Sequence, residues 1–195
     1  MGLAIPTIEN TVTVAPGKYS RVERERRFVL RALPEPLTRA SEHVQIWDNY
    51  LTNTRLRLRK IRTPKTKKWT MKLTQKFAPE PPDFSRTVIT NTYLSAYEYE
   101  VLSVFEGNEI RKNRYPYEYE GRRYSIDVFL GALWGLVLAE TEFETEEELS
   151  AFTPPPFVAR EVTNDETFTG GRLVELTFEE LREKQKTEVR SQKSE

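Results

Sequence analysis

Val22-Glu23-Arg24-Glu25-Arg26-Arg27-Phe28-Val29-Leu30 is the stretch whose reading decides the fold. As a β-strand it sends residues i, i+2 and i+4 to one face. Glu23, Glu25 and Arg27 then share a face. The alternation recurs downstream. Thr54-Arg55-Leu56-Arg57-Leu58-Arg59 puts the arginines on one face and the leucines on the other. Trp69 to Lys76 separates Trp69, Met71 and Leu73 from Thr70, Lys72, Thr74 and Lys76. Lys112 and Arg114 fall together. Asp127 stands between Ile126 and Val128, and Glu140 and Glu142 share a face of Leu138–Phe143.

For one such strand the simplest reading is an apolar face on the core and a charged face in water. Six strands with sorted signs ask for more. Acid pairs lie on the first and last strands, and basic pairs on three strands between. If the sheet closes with its charged face inward, the charges converge on a polar channel and the apolar faces pack against helices outside. Alternation alone leaves open which face is inside. A charged channel would suit a polyanion. Lys and Arg pairs could clamp phosphates, Arg in bidentate fashion. Glu pairs could hold divalent cations that bridge the phosphates and activate a water. Unpaired charges inside are costly without a ligand, which points to function as their reason.

Strands are expected near 22–31, 43–50, 54–62, 67–76, 85–91, 109–117, 122–130 and 135–143, separated by Pro and Gly breakers. Helices are expected at 35–42 and at 92–106, the latter capped by Asn91 or Thr92. A short acidic helix capped by Thr145 follows Glu144. A charged C-terminal helix over 172–194 packs through Leu173, Leu176, Phe178 and Leu181. Strand, helix, three strands thus occurs twice. Residues 1–20 read as a flexible leader, 21–181 as the folded domain, and 182–195 as a charged helix end and tail. Trp47, Trp69 and Trp134 read as core or edge aromatics, and Tyr115, Tyr117, Tyr119 and Tyr124 as cross-strand packing.

Composition narrows the chemistry. The 195 residues suit one domain, and 30 basic against 30 acidic residues give zero net charge. That balance argues against nucleic-acid or membrane binding as the main purpose. There is no cysteine and one histidine, His43, so thiolate catalysis and cysteine-based zinc sites are excluded and Ser-His catalysis has no motif. A metal site must use carboxylates, which prefer hard cations. No secretory signal pattern and no apolar run of about 20 residues is present, so a soluble cytoplasmic protein is expected.

These motifs, taken in order, resemble the CYTH superfamily, the triphosphate tunnel metalloenzymes. Glu23-x-Glu25-x-Arg27 is similar to the family's E-x-E-x-K signature. Arg55-x-Arg57, Thr70-x-Lys72 and Lys112-x-Arg114-Tyr115 resemble its basic strands. Asp127-x-x-x-Gly131, Gly135-Leu136, Glu140-x-Glu142-Phe143 and Glu161-Val162-Thr163-x-Asp165 resemble its C-terminal segments. The resemblance covers about residues 22–175. It implies an α+β fold: an eight-stranded antiparallel barrel tunnel from two βαβββ halves, with helices outside. It implies a small-molecule triphosphate substrate, Mg²⁺ or Mn²⁺, and a homodimer that no residue marks. Glu23, Glu25, Glu140, Glu142 and Asp127 would be metal ligands. Arg55, Arg57, Lys72, Lys112 and Arg114 would bind phosphates, and Arg27 takes the catalytic signature position. Two departures matter. Arg27 replaces a lysine and does not readily give up a proton, and the strand at 85–91 lacks the acids many members carry, which bears on a second metal. The implied activity is hydrolysis of inorganic triphosphate or a small organic triphosphate. Cyclisation of ATP by a class IV-type adenylyl cyclase and non-catalytic triphosphate or polyphosphate binding are the alternatives.

Overall fold

The computed structural model describes residues 18–79 and 82–191, with side chains through Lys186. Most of the expected leader and the last four residues lie outside the described residues. Eight strands follow one another: β1 (Arg21–Val29), β2 (Val44–Leu51), β3 (Leu56–Thr63), β4 (Lys68–Phe77), β5 (Arg86–Leu94), β6 (Gly107–Tyr119), β7 (Arg122–Leu130) and β8 (Val137–Phe143). They pair antiparallel in the order β5-β4-β3-β2-β6-β7-β8-β1, and β1 closes the ring. Its residues Arg24–Val29 pair with β8, while Arg21–Arg24 pair with β5. Closure covers most of the sheet edge. A two-residue strand, β9 (Arg160–Glu161), takes the edge beside Phe28 and Val29 that β5 leaves open.

The connections differ from expectation in two places. Residues 35–42 form turns, not a helix. Pro34 and Pro36 lack amide donors, and each disfavours helical geometry in the residue before it. The segment is instead pinned from outside: Tyr115 Oη donates to Arg39 O at 3.2 Å and Tyr117 Oη to Glu35 O at 3.1 Å. The second helix starts later than expected, as α1 (Ala96–Leu102). Thr92 and Leu94 remain in the β4–β5 ladder, and Ser95 with Glu98 forms the capping box. The acidic helix α2 (Glu146–Ala151) is capped by Thr145 as expected. The C-terminal helix divides into α3 (Gly170–Leu173) and α4 (Phe178–Ser191). Among the described residues no helix is long and apolar enough to cross a membrane.

Two apolar cores hold the barrel. One lies outside it, where Phe28, Tyr115, Tyr124, Ile126 and Ala139 meet Leu33, Leu37, Phe152 and Phe157. Tyr117 and Tyr124 pair across the β6–β7 ladder with ring centroids 6.4 Å apart, the cross-strand packing expected, and Phe157 meets the rings of Tyr117, Tyr119 and Tyr124 edge-on, each at 5.4 Å. The other core plugs one end. Ile110, Phe129 and Leu138 share the inward faces of Lys112, Asp127 and Glu140, and they pack against Val162, Phe168, Leu173 and Leu181. The inward face is therefore charged along most of its length and apolar where residues 162–181 cover it. Trp47 and Trp69 stack on each other at 5.6 Å on the outer face, and Trp69 and Trp134 are exposed.

Candidate active site

The charged faces point inward. They line a cavity of about 570 Å³ into which all eight barrel strands contribute side chains, β7 through Phe129. Residues 166–173 lie across the plugged end. There Gly170 approaches Tyr50 so closely that a Cβ would sit 1.8 Å from its hydroxyl oxygen. Every sequence-derived site residue lines this cavity except Asp127.

Signs segregate between walls. On the β3–β4 wall, Arg59 and Lys72 stand directly opposite each other in the ladder. Asp48 on β2 supplies the counter-charge. It is ion-paired with Arg59, whose Nη2 donates at 2.6 Å, and lies 3.6 Å from Arg57 Nε. Burial opposes ionisation of Asp48, but Arg59 and Arg57 outweigh it and hold the carboxyl well below its usual range. Lys72 has no hydrogen-bond or ion-pair partner among the described residues. Burial, then the charges of Arg59 and Arg57, push its ammonium down to about 8. Arg57 Nε is buried without a hydrogen-bond acceptor. Arg55, at the rim, lies over the Phe77 ring at 5.1 Å.

On the β1–β8 wall, Glu25 and Glu142 are directly opposite, as are Arg27 and Glu140. Lys76 Nζ bridges Glu23 at 2.7 Å and Glu25 at 2.8 Å. Arg27 donates to Glu25 at 2.6 Å, to Glu140 at 3.2 Å and to Phe168 O at 3.1 Å. Despite burial, those two carboxylates hold its guanidinium above the ordinary range, so Arg27 keeps its proton and fastens β1 to the plug. Glu140 also accepts from Arg114 at 2.6 Å, and it is held well below the usual carboxylate range by Arg114, Lys112 and Arg27 against the effect of burial. Glu142 makes no ion pair among the described residues. Burial, then Glu23 and other carboxylates, raise its pKa.

Asp127 has a different setting from the one expected of a metal ligand. It is fully buried behind the cavity wall and accepts from Lys112 Nζ at 2.5 Å and from Arg114 Nε and Nη2 at 2.6 Å. It positions those two cations. Lys112 and Arg114 are accordingly tethered, while Arg55, Arg57 and Lys72 are the cations with bonding capacity to spare. The motif reading passed over Asp48, Arg59, Lys76, Tyr50 and Thr87, all of which line the cavity. Alternation already put Arg59 and Lys76 on the charged faces; Asp48, Tyr50 and Thr87 carried no charge pattern to mark them.

No protein-family model matches the sequence. An inorganic triphosphatase of Nitrosomonas europaea is 31% identical over 162 residues, which span 77% of this chain and 95% of that protein. The chain belongs to the CYTH superfamily of triphosphate tunnel proteins. A second relative of this CYTH chain, an inorganic triphosphatase of Acetivibrio thermocellus, is 35% identical over 105 residues, 48% of this chain and 66% of that protein. The crystal structure of the inorganic triphosphatase NE1496 superposes with a TM-score of 0.52 at 24% identity, over 78% of this chain and 93% of that one, and confirms the fold. Membership puts the CYTH tunnel described above among enzymes of the triphosphatase class.

Proposed function

We propose that this enzyme hydrolyses inorganic triphosphate, with a divalent cation, Mg²⁺ or Mn²⁺, held by the acidic wall. One observation carries the reading: cations, with a Lys72 that has no ion-pair partner among the described residues, and carboxylates, with a Glu142 that has none either, line one cavity. The names of the Nitrosomonas and Acetivibrio relatives support the substrate.

Arg57 and Lys72 bind the non-bridging oxygens of the phosphate chain, and Arg55 receives it at the rim. Asp48 fixes the orientation of Arg57 and Arg59, as Asp127 fixes Lys112 and Arg114. Triphosphate supplies the negative charge that the basic wall lacks and stabilises the Lys72 ammonium against the cost of its burial beside Arg57 and Arg59.

The acidic wall fits a hard cation in its donor chemistry. Glu25 and Glu142 are like charges directly across a ladder, an arrangement that is unfavourable without a bridging cation. Among the described residues no three carboxylates are already gathered as a ligand set, because Lys76, Arg27 and Arg114 engage Glu23, Glu25 and Glu140. Glu23, Glu25 and Glu142 would hold the ion, Glu140 being the most firmly paired elsewhere. When bound, such an ion supplies Lewis-acid stabilisation of the phosphoryl group and an activated water.

The test is release of orthophosphate and pyrophosphate from inorganic triphosphate and from ATP, with Mg²⁺ or Mn²⁺ and with chelator. Chelator-sensitive hydrolysis of inorganic triphosphate is the expected result. Pyrophosphate from ATP with a cyclic nucleotide would replace this reading by the cyclase. Tight triphosphate binding with no turnover would make the protein a sensor.

A further inference from the structure

The cavity contains a hydroxyl that the fold does not use. Among the described residues five Ser or Thr side chains are buried: Thr74, Ser85, Thr87, Thr141 and Thr163. Four of them donate hydrogen bonds: Thr74 to Asn91 at 2.8 Å, Ser85 to Asp83 at 2.6 Å, Thr141 to Arg123 O at 2.9 Å and Thr163 to Glu161 at 2.6 Å. Thr87 Oγ1 has no hydrogen-bond partner among the described residues, although the residue is only 4% exposed. It lines the cavity from β5, directly opposite Glu23 on β1. Arg57 Nε, on β3 two strands along the ring from β5, is the other atom without a hydrogen-bond partner among the described residues that lines the cavity. The remaining two orphans, on Asn49 and Asn113, belong to alternate residues of β2 and β6 whose neighbours face inward, so they lie outside it. A buried hydroxyl left unpaired destabilises the free protein, and valine would fill the same space without that cost.

We propose that Thr87 is a substrate-positioning residue whose hydroxyl donates a hydrogen bond to a non-bridging oxygen of the phosphoryl group lying nearest the carboxylate wall. The inference rests on the triphosphate reading above and deepens it. Arg57 Nε, ion-paired with Asp48 at 3.6 Å but without a hydrogen-bond acceptor, takes an oxygen of the same phosphate chain from β3. A neutral donor serves at Thr87 because Glu23, its neighbour across the ladder, already carries negative charge. The hydroxyl contacts phosphate without adding a carboxylate that would repel it.

Thr87→Val and Thr87→Ser, assayed with inorganic triphosphate and followed by thermal unfolding, test this. Thr87→Val should lower kcat/KM about tenfold or more, while Thr87→Ser stays within about threefold of wild type. Without ligand, the melting midpoint of Thr87→Val should equal or exceed that of wild type. Unchanged kcat/KM in Thr87→Val overturns the proposal. So does a loss of activity accompanied by a lowered midpoint, which would make the threonine structural. If the wild-type protein does not turn over triphosphate, the functional reading fails separately. The melting shift produced by tripolyphosphate then decides: a smaller shift in Thr87→Val sustains the hydroxyl contact, and equal shifts overturn it.

Discussion

The β3–β4 wall and the β1–β8 wall of the cavity are built alike and charged oppositely. Each sets two like charges directly opposite in a ladder, Arg59 with Lys72 on one side and Glu25 with Glu142 on the other. Counter-charge comes to each from outside the like-charged pair. Asp48 serves Arg57 and Arg59; Lys76 serves Glu23 and Glu25, with Arg27 and Arg114 on Glu140. Among the described residues Lys72 on one wall and Glu142 on the other then make no ion pair. The lesson is that folding neutralises just enough of each wall to close the barrel. The remaining cation and the remaining carboxylate are where a ligand and its counter-ion have the most to gain.

The harshest way to break this comparison is to remove a wall's counter-ion. Asp48→Ala leaves Arg57 and Arg59 buried beside Lys72 with no carboxylate. Breaking a buried pair in this way costs about 3–5 kcal/mol, which denaturant unfolding should register. Inorganic triphosphate should recover part of that loss, since it supplies the missing anion to the same wall. An unchanged unfolding midpoint would show that Asp48 is not what holds the basic wall.

On the acidic wall, Glu25→Gln should act on turnover more than on folding, because Glu23 still accepts from Lys76. A fall in kcat of about 100-fold is expected, as when one preorganised electrostatic contact of a transition state is lost. Wild-type turnover at limiting Mn²⁺ would take Glu25 out of the cation site.

How much of this was legible in the sequence depends on whether charge marked it. The eight strands were readable because Glu23-x-Glu25-x-Arg27, Arg55-x-Arg57-x-Arg59 and Glu140-x-Glu142 alternate with apolar neighbours. Asp48 was not readable. It sits in Trp47-Asp48-Asn49-Tyr50, where alternation is blurred, and its role arises only when β2 is laid beside β3. Asp127 misled in the opposite sense. The resemblance implied a ligand there, and Arg114, directly across the ladder, holds it in an ion pair. β9 was too short to carry a period, and the helix expected at 35–42 was overridden by Pro36 within the segment and Pro34 just before it. Thr87 shows the limit most plainly, since an unpaired hydroxyl is a property of neighbours and not of sequence.

Lys72 sharpens the comparison on the basic wall. Lys72→Met should raise KM for triphosphate about tenfold, which is about 1.4 kcal/mol of binding, with a smaller effect on kcat. The pH dependence has a definite sign. In the folded, ligand-free protein the Lys72 pKa is lowered to about 8, so the unfolded chain binds more protons between about 8 and the free-lysine value. Stability should therefore rise with pH through that window, while KM rises too, because triphosphate binds the ammonium form. Lys72→Met should flatten both trends. A wild-type KM that stays constant from pH 7 to pH 9 would show that Lys72 does not meet the phosphate.

The smallest effect is expected at Glu142, the mirror of Lys72. Its pKa is raised, by burial first and then by Glu23, so the folded state holds its proton more tightly than the unfolded chain does. Stability from this group is then present below the unfolded carboxylate pKa and declines as pH rises through the folded one. At neutral pH without metal, Glu142→Gln should raise the melting midpoint slightly, and the gain should vanish in acid where both states are protonated. Saturating Mn²⁺ should reverse the order, since the wild-type carboxylate then has a cation to bind and the amide does not. If Mn²⁺ shifts the two proteins equally, Glu142 is not a ligand. The acidic wall would then differ from the basic one in having its unpaired charge turned toward solvent rather than toward a second ion.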